Sequence, residues 1–220
     1  MRDYNTSPVQ QEPAPVEPVR DVASPAPLGL NVFAFATAIL GCFYAGFIIP
    51  YQGLAIRPAV GAILVASGVV LILAGMWEYR KNSVLSATIF TSYGGFLAAI
   101  GLIFLPNLGI LSILLGSGAM NFAMGLFFLC WTIFTGILFI GTLGSNISLA
   151  VTMLLLFLAY AVLTAGQLAS GNTIITIIGG WVAIVAALAA WFTGLASLLG
   201  NEGFNVPGRE PLRRRLVPVE

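Results

Sequence analysis

Ser24-Pro25-Ala26-Pro27-Leu28-Gly29-Leu30, running on into Asn31-Val32-Phe33-Ala34-Phe35, is where this 220-residue chain changes solvent. Upstream, Pro8, Pro13, Pro15 and Pro18 stand beside Glu12, Glu17 and Asp21; downstream of Leu28 the chain is apolar almost to residue 200. The two prolines of the stretch fix φ and lack an N–H, which suits the first turn of a helix, where donors have no intrahelical partner anyway. The stretch therefore predicts the opening of a first membrane span.

Working outward, composition agrees. Hydrophobic residues make up 59% and charged residues 8%, with a mean hydropathy of +0.99. A soluble domain carries roughly 25% charged residues, so this chain reads as an all-α integral membrane protein. At about 20 residues per span, the apolar part from Leu28 to Leu199 has room for about six or seven helices. Residues 1–23 hold too little apolar surface to offset the entropy of ordering, which predicts a disordered tail. They also lack the apolar core of a cleavable signal peptide.

The chain contains no His, so the commonest metal ligand and proton relay is missing. Cys42 and Cys130 both fall within apolar runs and read as packing residues. No cofactor or metal is expected. With a net charge of +1 and no basic stripe, nothing suits nucleic acid either.

Punctuation divides the apolar part into six spans. The first runs from about Gly29 to Ile49 and ends at Pro50; Arg57-Pro58 opens the second, which continues to Met76 or Trp77. Glu78-Tyr79-Arg80-Lys81-Asn82 then reads as a charged loop. A third span covers about Val84 to Leu105, a fourth Phe122 to Leu143, a fifth Ile147 to Leu168 and a sixth Ile174 to Leu199. Residues 108–120 are apolar but contain Gly and Ser, and periodicity alone leaves open a loop, a re-entrant turn or an extension of the fourth span.

Six spans put both termini on one side. Arg2, Arg20, Arg80, Lys81, Arg209, Arg213, Arg214 and Arg215 then share that side, against Arg57 alone on the other. The positive-inside rule assigns both termini to the cytoplasm. The expected organisation is a disordered cytoplasmic tail over 1–23, a six-helix transmembrane domain over 24–205 and a basic cytoplasmic tail over 206–220. Small residues at four-residue spacing, such as Gly94 with Ala98 and Gly179 with Ala183 and Ala187, predict closely packed helices.

No charged residue lies between Lys81 and Glu202, so the spans offer hydroxyls and amides rather than acids for any function. The densest group is Thr88-Ile89-Phe90-Thr91-Ser92-Tyr93-Gly94-Gly95. Tyr93 joins an apolar ring to a donor tip, and the glycines after it allow close backbone approach. Such a site suits a small solute with a methyl and a carboxyl group. The same polar residues would also serve as ordinary interhelical hydrogen bonds.

Several motifs resemble one known family. The opening stretch is similar to the Asn-Pro-Ala-Pro-Leu-Gly-Leu signature of the acetate uptake transporter family, the succinate–acetate permease group of bacteria and its fungal relatives. Ala74-Gly75-Met76-Trp77-Glu78-Tyr79 and Phe90-Thr91-Ser92-Tyr93-Gly94-Gly95-Phe96 resemble two more of its segments. Gly141-Thr142-Leu143, Ala169-Ser170-Gly171-Asn172, Gly180-Trp181 and Asn201-Glu202 follow in the family's order, so the resemblance spans about residues 24–205. Three positions depart from the family pattern: Ser24 replaces its Asn, Leu97 stands where a Trp often follows the Phe, and Leu71 where some relatives carry Gln. These bear on substrate preference.

The resemblance implies a homo-hexamer of six-helix protomers in the cell membrane, each with its own pore for acetate and related short carboxylates, succinate among them. It implies a narrow constriction at Phe33, Tyr93 and Leu156, with Pro25, Ala26, Pro27, Leu28, Gly29 and Leu30 as the opening motif. Thr91, Ser92 and Gly94 are the further candidates for substrate contact. Passage as an anion channel or as a proton-linked carrier are both open. An ammonia or other small-solute pore and a non-transporting membrane scaffold are the rival readings. No nucleophile–base pair or metal-ligand set within the spans suggests an enzyme.

Overall fold

The computed structural model describes residues 23–48, 54–106, 113, 115 and 119–201. The expected disordered and basic tails, the Pro50 stop and most of the 108–120 connection lie outside them. Six helices carry the fold: α1 (Ala26–Ala45), α2 (Arg57–Arg80), α3 (Val84–Phe104), α4 (Met120–Thr142), α5 (Ile147–Leu168) and α6 (Thr173–Asn201). Each is long and apolar enough to cross a membrane, and no strand occurs among the described residues. That is what a bilayer demands, since hydrocarbon offers no partner for an unpaired backbone N–H or C=O. The chain is a multi-pass membrane protein.

Local chemistry sets the helix ends. Pro25 caps α1 and Pro27 sits in its first turn. The helix stops at Ala45, earlier than the apolar run suggests, because Gly46 turns left-handed at φ 67°. The Phe47 amide then closes on the Cys42 carbonyl at 3.1 Å. This is the glycine-terminated ending that satisfies the last carbonyls. Conversely, α2 runs on through Glu78, Tyr79 and Arg80, residues that the sequence reads as a loop. Arg80 favours that extension, since a cation in the last turn complements the helix dipole, and its guanidinium lies 5.2 Å from the centre of the Trp77 ring. Asn82, at φ 57°, makes the actual turn. At the start of α5, the Asn146 side chain accepts from the Leu149 amide at 2.9 Å. Asn172 does the same for Ile175 at 3.2 Å at the start of α6.

The helices form a ring in which α1 packs between α6 and α2, α2 against α3, and α4 against α5, with α5 against α6. Glycines hold the tightest seam. Gly61, Gly68 and Gly75 recur seven residues apart on α2. A Cβ at Gly61 would lie 2.7 Å from the Gly101 carbonyl oxygen, and one at Gly68 would lie 2.6 Å from that of Gly94. A side chain on Gly75 would strike Thr91. Backbone therefore meets backbone along the whole α2–α3 pair, the arrangement that lets helices associate in lipid, where burial of apolar surface gives no advantage. The α3–α4 seam differs: the two backbones come close at few points, and large side chains fill the gap.

Candidate functional site

Phe33 on α1, Tyr93 on α3 and Leu156 on α5 are all buried in one apolar core. The Phe33 and Tyr93 rings lie 5.0 Å apart between centres, inclined at 55°. Tyr93 also sits 5.5 Å from Trp131 of α4, and its hydroxyl is 2.7 Å from the Thr135 hydroxyl. Since Thr135 gives its single proton to the Trp131 carbonyl at 2.6 Å, it accepts from Tyr93. The Tyr93 ring is thus pinned at one end by a hydrogen bond to α4 and at its face by Phe33.

Around this point the middle of the ring is walled with aromatic side chains. Phe96 lies 4.8 Å from Trp131 and 5.2 Å from Tyr160, while Tyr160 stacks on Phe128 at 5.8 Å. Phe96 closes the Phe90–Phe96 motif, whereas Trp131, Phe128 and Tyr160 did not stand out in the sequence. The available signal on α4 was Phe127-Phe128, Trp131 and Phe134, aromatic residues repeating at helical spacing.

A cavity of about 130 Å³ opens at the end of the bundle where α1 and α3 begin and α6 ends. One water needs about 10–15 Å³ by this measure, so the space takes a small solute with its water. Its polar lining is neutral: Ser86, Ser145, Asn146, Ser148, Thr193 and Ser197. Leu30 and Phe90 form the apolar side. Thr193 is also hydrogen-bonded to Thr152 at 3.1 Å, tying α5 to α6 at the cavity wall.

The opening motif divides between structure and cavity. Ala26 and Leu30 line it. Gly29 lies under the Phe90 ring, where a Cβ would come within 2.7 Å of it. Pro25 caps the helix, the buried Pro27 accepts from Asn31 at 2.8 Å, and Leu28 faces outward.

Thr91, Ser92 and Gly94 are placed elsewhere than the Phe33–Tyr93 contact. Successive helix residues are rotated by about 100°, so the neighbours of Tyr93 turn away from it. Thr91 and Gly94 press against α2, at Gly75 and Gly68. Ser92 donates back to its own helix, at 2.5 Å to the Thr88 carbonyl.

At the other end of the bundle a smaller cavity, about 10 Å³, lies among Phe43, Tyr44, Arg57, Phe104, Asn121 and Gln167. Arg57 is buried there.

Known proteins share this architecture. The chain is 35% identical to acetate permease A of Emericella nidulans over 201 residues, covering 86% of this chain and 66% of that one. It is 31% identical to the succinate-acetate/proton symporter SatP of Escherichia coli over 190 residues, covering 83% of this chain and 92% of that one. The chain thus spans about two thirds of the fungal permease and most of the bacterial protein. The solved structure of the bacterial acetate channel SatP superposes with a TM-score of 0.71 at 28% identity, over 83% of this chain and 95% of that one. The profile of the GPR1/FUN34/yaaH family matches residues 7–209, and the chain belongs to that family.

Proposed function

We propose that this protein carries acetate and related short carboxylates, succinate included, through a passage within each protomer across the cell membrane. The transport unit is residues 24–205, assembled as a homo-hexamer with both termini in the cytoplasm. Phe33, Tyr93 and Leu156 form its dry gate. The role is transport alone, without catalysis or a cofactor.

The observation that carries this reading is the sequence of environments along one axis. A cavity lined by hydroxyl and amide groups is separated by a buried aromatic contact from a second, cationic pocket. Neutral hydrogen-bond donors replace a carboxylate's water without binding it so firmly that it cannot leave. The apolar gate then demands that the solute shed that water. The family relatives described as acetate and succinate carriers or channels support the same substrate class.

Glu78, at the end of α2, is the single carboxylate between Asp21 and Glu202. The passage therefore has no internal chain of acids to relay a proton. In a proton-linked mode the proton rides on the substrate as acetic acid; in a channel mode the anion passes alone. An ammonia pore is the weaker rival, since no His lines a deprotonating path.

Labelled acetate uptake into proteoliposomes, with and without a pH gradient, tests the reading on wild type and Tyr93→Ala. Protein-dependent flux that changes in the variant supports a gated carboxylate passage, and its gradient response chooses between carrier and channel. Wild-type flux no greater than in empty liposomes, from protein that assembles normally, would sink it in favour of another solute or a scaffold.

A further inference from the structure

Arg57 is 5% exposed, and its Nε and Nη1 are buried without a hydrogen-bond partner. Its guanidinium carbon lies 5.7 Å from the centre of the Phe43 ring and 5.9 Å from that of Phe104. Those two rings attract a cation through their faces. They offer its N–H groups no more than a weak π acceptor, and they do not neutralise the charge. A buried guanidinium with two unsatisfied nitrogens is among the costlier arrangements a fold can keep, and in a membrane domain such residues are retained for a task.

The described residues supply no counter-charge beside it. Between Asp21 and Glu202 the chain has one acid, Glu78. Glu78 sits at the far end of the same helix, about 31 Å away at 1.5 Å per residue. The segments that link α1 to α2 and α3 to α4 in sequence, 49–53 and 107–118, contain no Asp or Glu. Nor does Arg57 serve its helix: it is the first residue of α2, where the dipole is positive and disfavours a cation. Two positive fields therefore converge on one small pocket, whose remaining polar lining includes the amides of Asn121 and Gln167.

We infer that Arg57, with Gln167 and Asn121 beside it, is a binding site for a monovalent carboxylate at the α2-start mouth of the passage. The inference rests on the carboxylate-transport reading and deepens it. The hydroxyl-lined cavity at one end and this cationic site at the other make the passage asymmetric, and charge recognition belongs to the Arg57 end. The pocket holds about one water as it stands. Met120 and Met124 form part of its wall, and their unbranched thioether chains are suited to swinging aside for a solute.

The test is a calorimetric titration of the full chain in lipid nanodiscs with sodium acetate, and with acetamide as the neutral isostere. Wild type, Arg57→Lys, Arg57→Gln and Gln167→Leu are compared. We expect wild type to bind acetate and to discriminate against acetamide. Arg57→Gln should weaken acetate binding by at least about tenfold, the smaller end for a hydrogen bond to a charged group. Arg57→Lys should keep part of the affinity because it keeps the charge. Gln167→Leu, which leaves the cation in place, should weaken binding less and guards against a folding defect in the Arg57 variants. Equal acetate affinity in Arg57→Gln, equal affinity for acetamide, or no acetate binding to wild type would each overturn the site. Acetate flux separates the two ideas. Wild-type flux with an unchanged saturation constant in Arg57→Gln rejects the Arg57 site and keeps the carboxylate passage. Absent wild-type flux rejects the passage, and the titration still decides the site.

Discussion

Thr135 accepts the Tyr93 hydroxyl proton at 2.7 Å while giving its own to the Trp131 carbonyl. The relation is unequal, because the two residues lose different things when the bond is cut. Tyr93→Phe removes a donor and leaves Thr135 bonded to Trp131, which should cost about 0.6 kcal/mol, the average for such bonds between membrane helices. Thr135→Val strands a buried phenol hydroxyl and should cost more, on the order of 1–3 kcal/mol. Thermal unfolding in detergent should rank Thr135→Val below Tyr93→Phe, with the double variant recovering part of the loss. Equal midpoints for the two single variants would remove the asymmetry.

Leu156→Ala should widen the gate without touching that hydrogen bond. Leu156 is fully buried, so the substitution leaves space and costs roughly 2–5 kcal/mol if the core does not close in. The expected gain is in size tolerance. The ratio of butyrate to acetate flux in proteoliposomes should rise, whereas an unchanged ratio would remove Leu156 from the gate.

Adjacent glycines on α3 should respond in opposite ways. Gly94 faces α2, where a Cβ would lie 2.6 Å from Ile72 and 2.7 Å from the Gly68 carbonyl. Gly94→Leu should separate the pair and lower both the thermal midpoint and the yield of assembled protein. Gly95 has nothing within 4 Å of such a Cβ; Gly95→Ala should be neutral or stabilising, since Ala is the better helix former. Size-exclusion chromatography after heating compares them directly.

The cap of α5 offers a local prediction. Asn146→Ala loses the bond to the Leu149 amide and should cost about 1 kcal/mol, whereas Asn146→Ser keeps a capping oxygen. Hydrogen exchange at the first turn of α5 should quicken in the Ala variant and stay near wild type in the Ser variant. Identical exchange in both would mean that the cap contributes nothing.

Much of the bundle was readable from residue order. Apolar runs separated by Pro, Gly and Asn located six spans, since only helices of that length bury their own backbone in lipid. Helix ends were less legible. Gly46 stops α1 before the apolar run is over, and the Glu78–Arg80 segment stays helical although it is charged. Cap geometry decided both cases, and hydropathy does not see it. Phe33 and Tyr93 were nameable from their motifs, and the structure brings them together. Thr135 counted among the polar residues of the spans, but its pairing with Tyr93 beside Trp131 was not legible, because the contact joins helices far apart in sequence. Thr91 and Ser92, though close to Tyr93 in sequence, are rotated away from its contact with Phe33, towards α2 and towards their own helix backbone.

The seven-residue glycine ladder between α2 and α3 has a consequence for how this protein can vary. It fixes Arg57, at the start of α2, and Tyr93, on α3, to a single stiff plank, roughly 18 Å apart along the axis by helix rise. A shift of one helix against the other would set backbone atoms against each other at Gly61, Gly68 and Gly94. The pair therefore moves as one body or not at all. A substitution in the ladder should therefore displace Arg57 and Tyr93 together rather than one without the other.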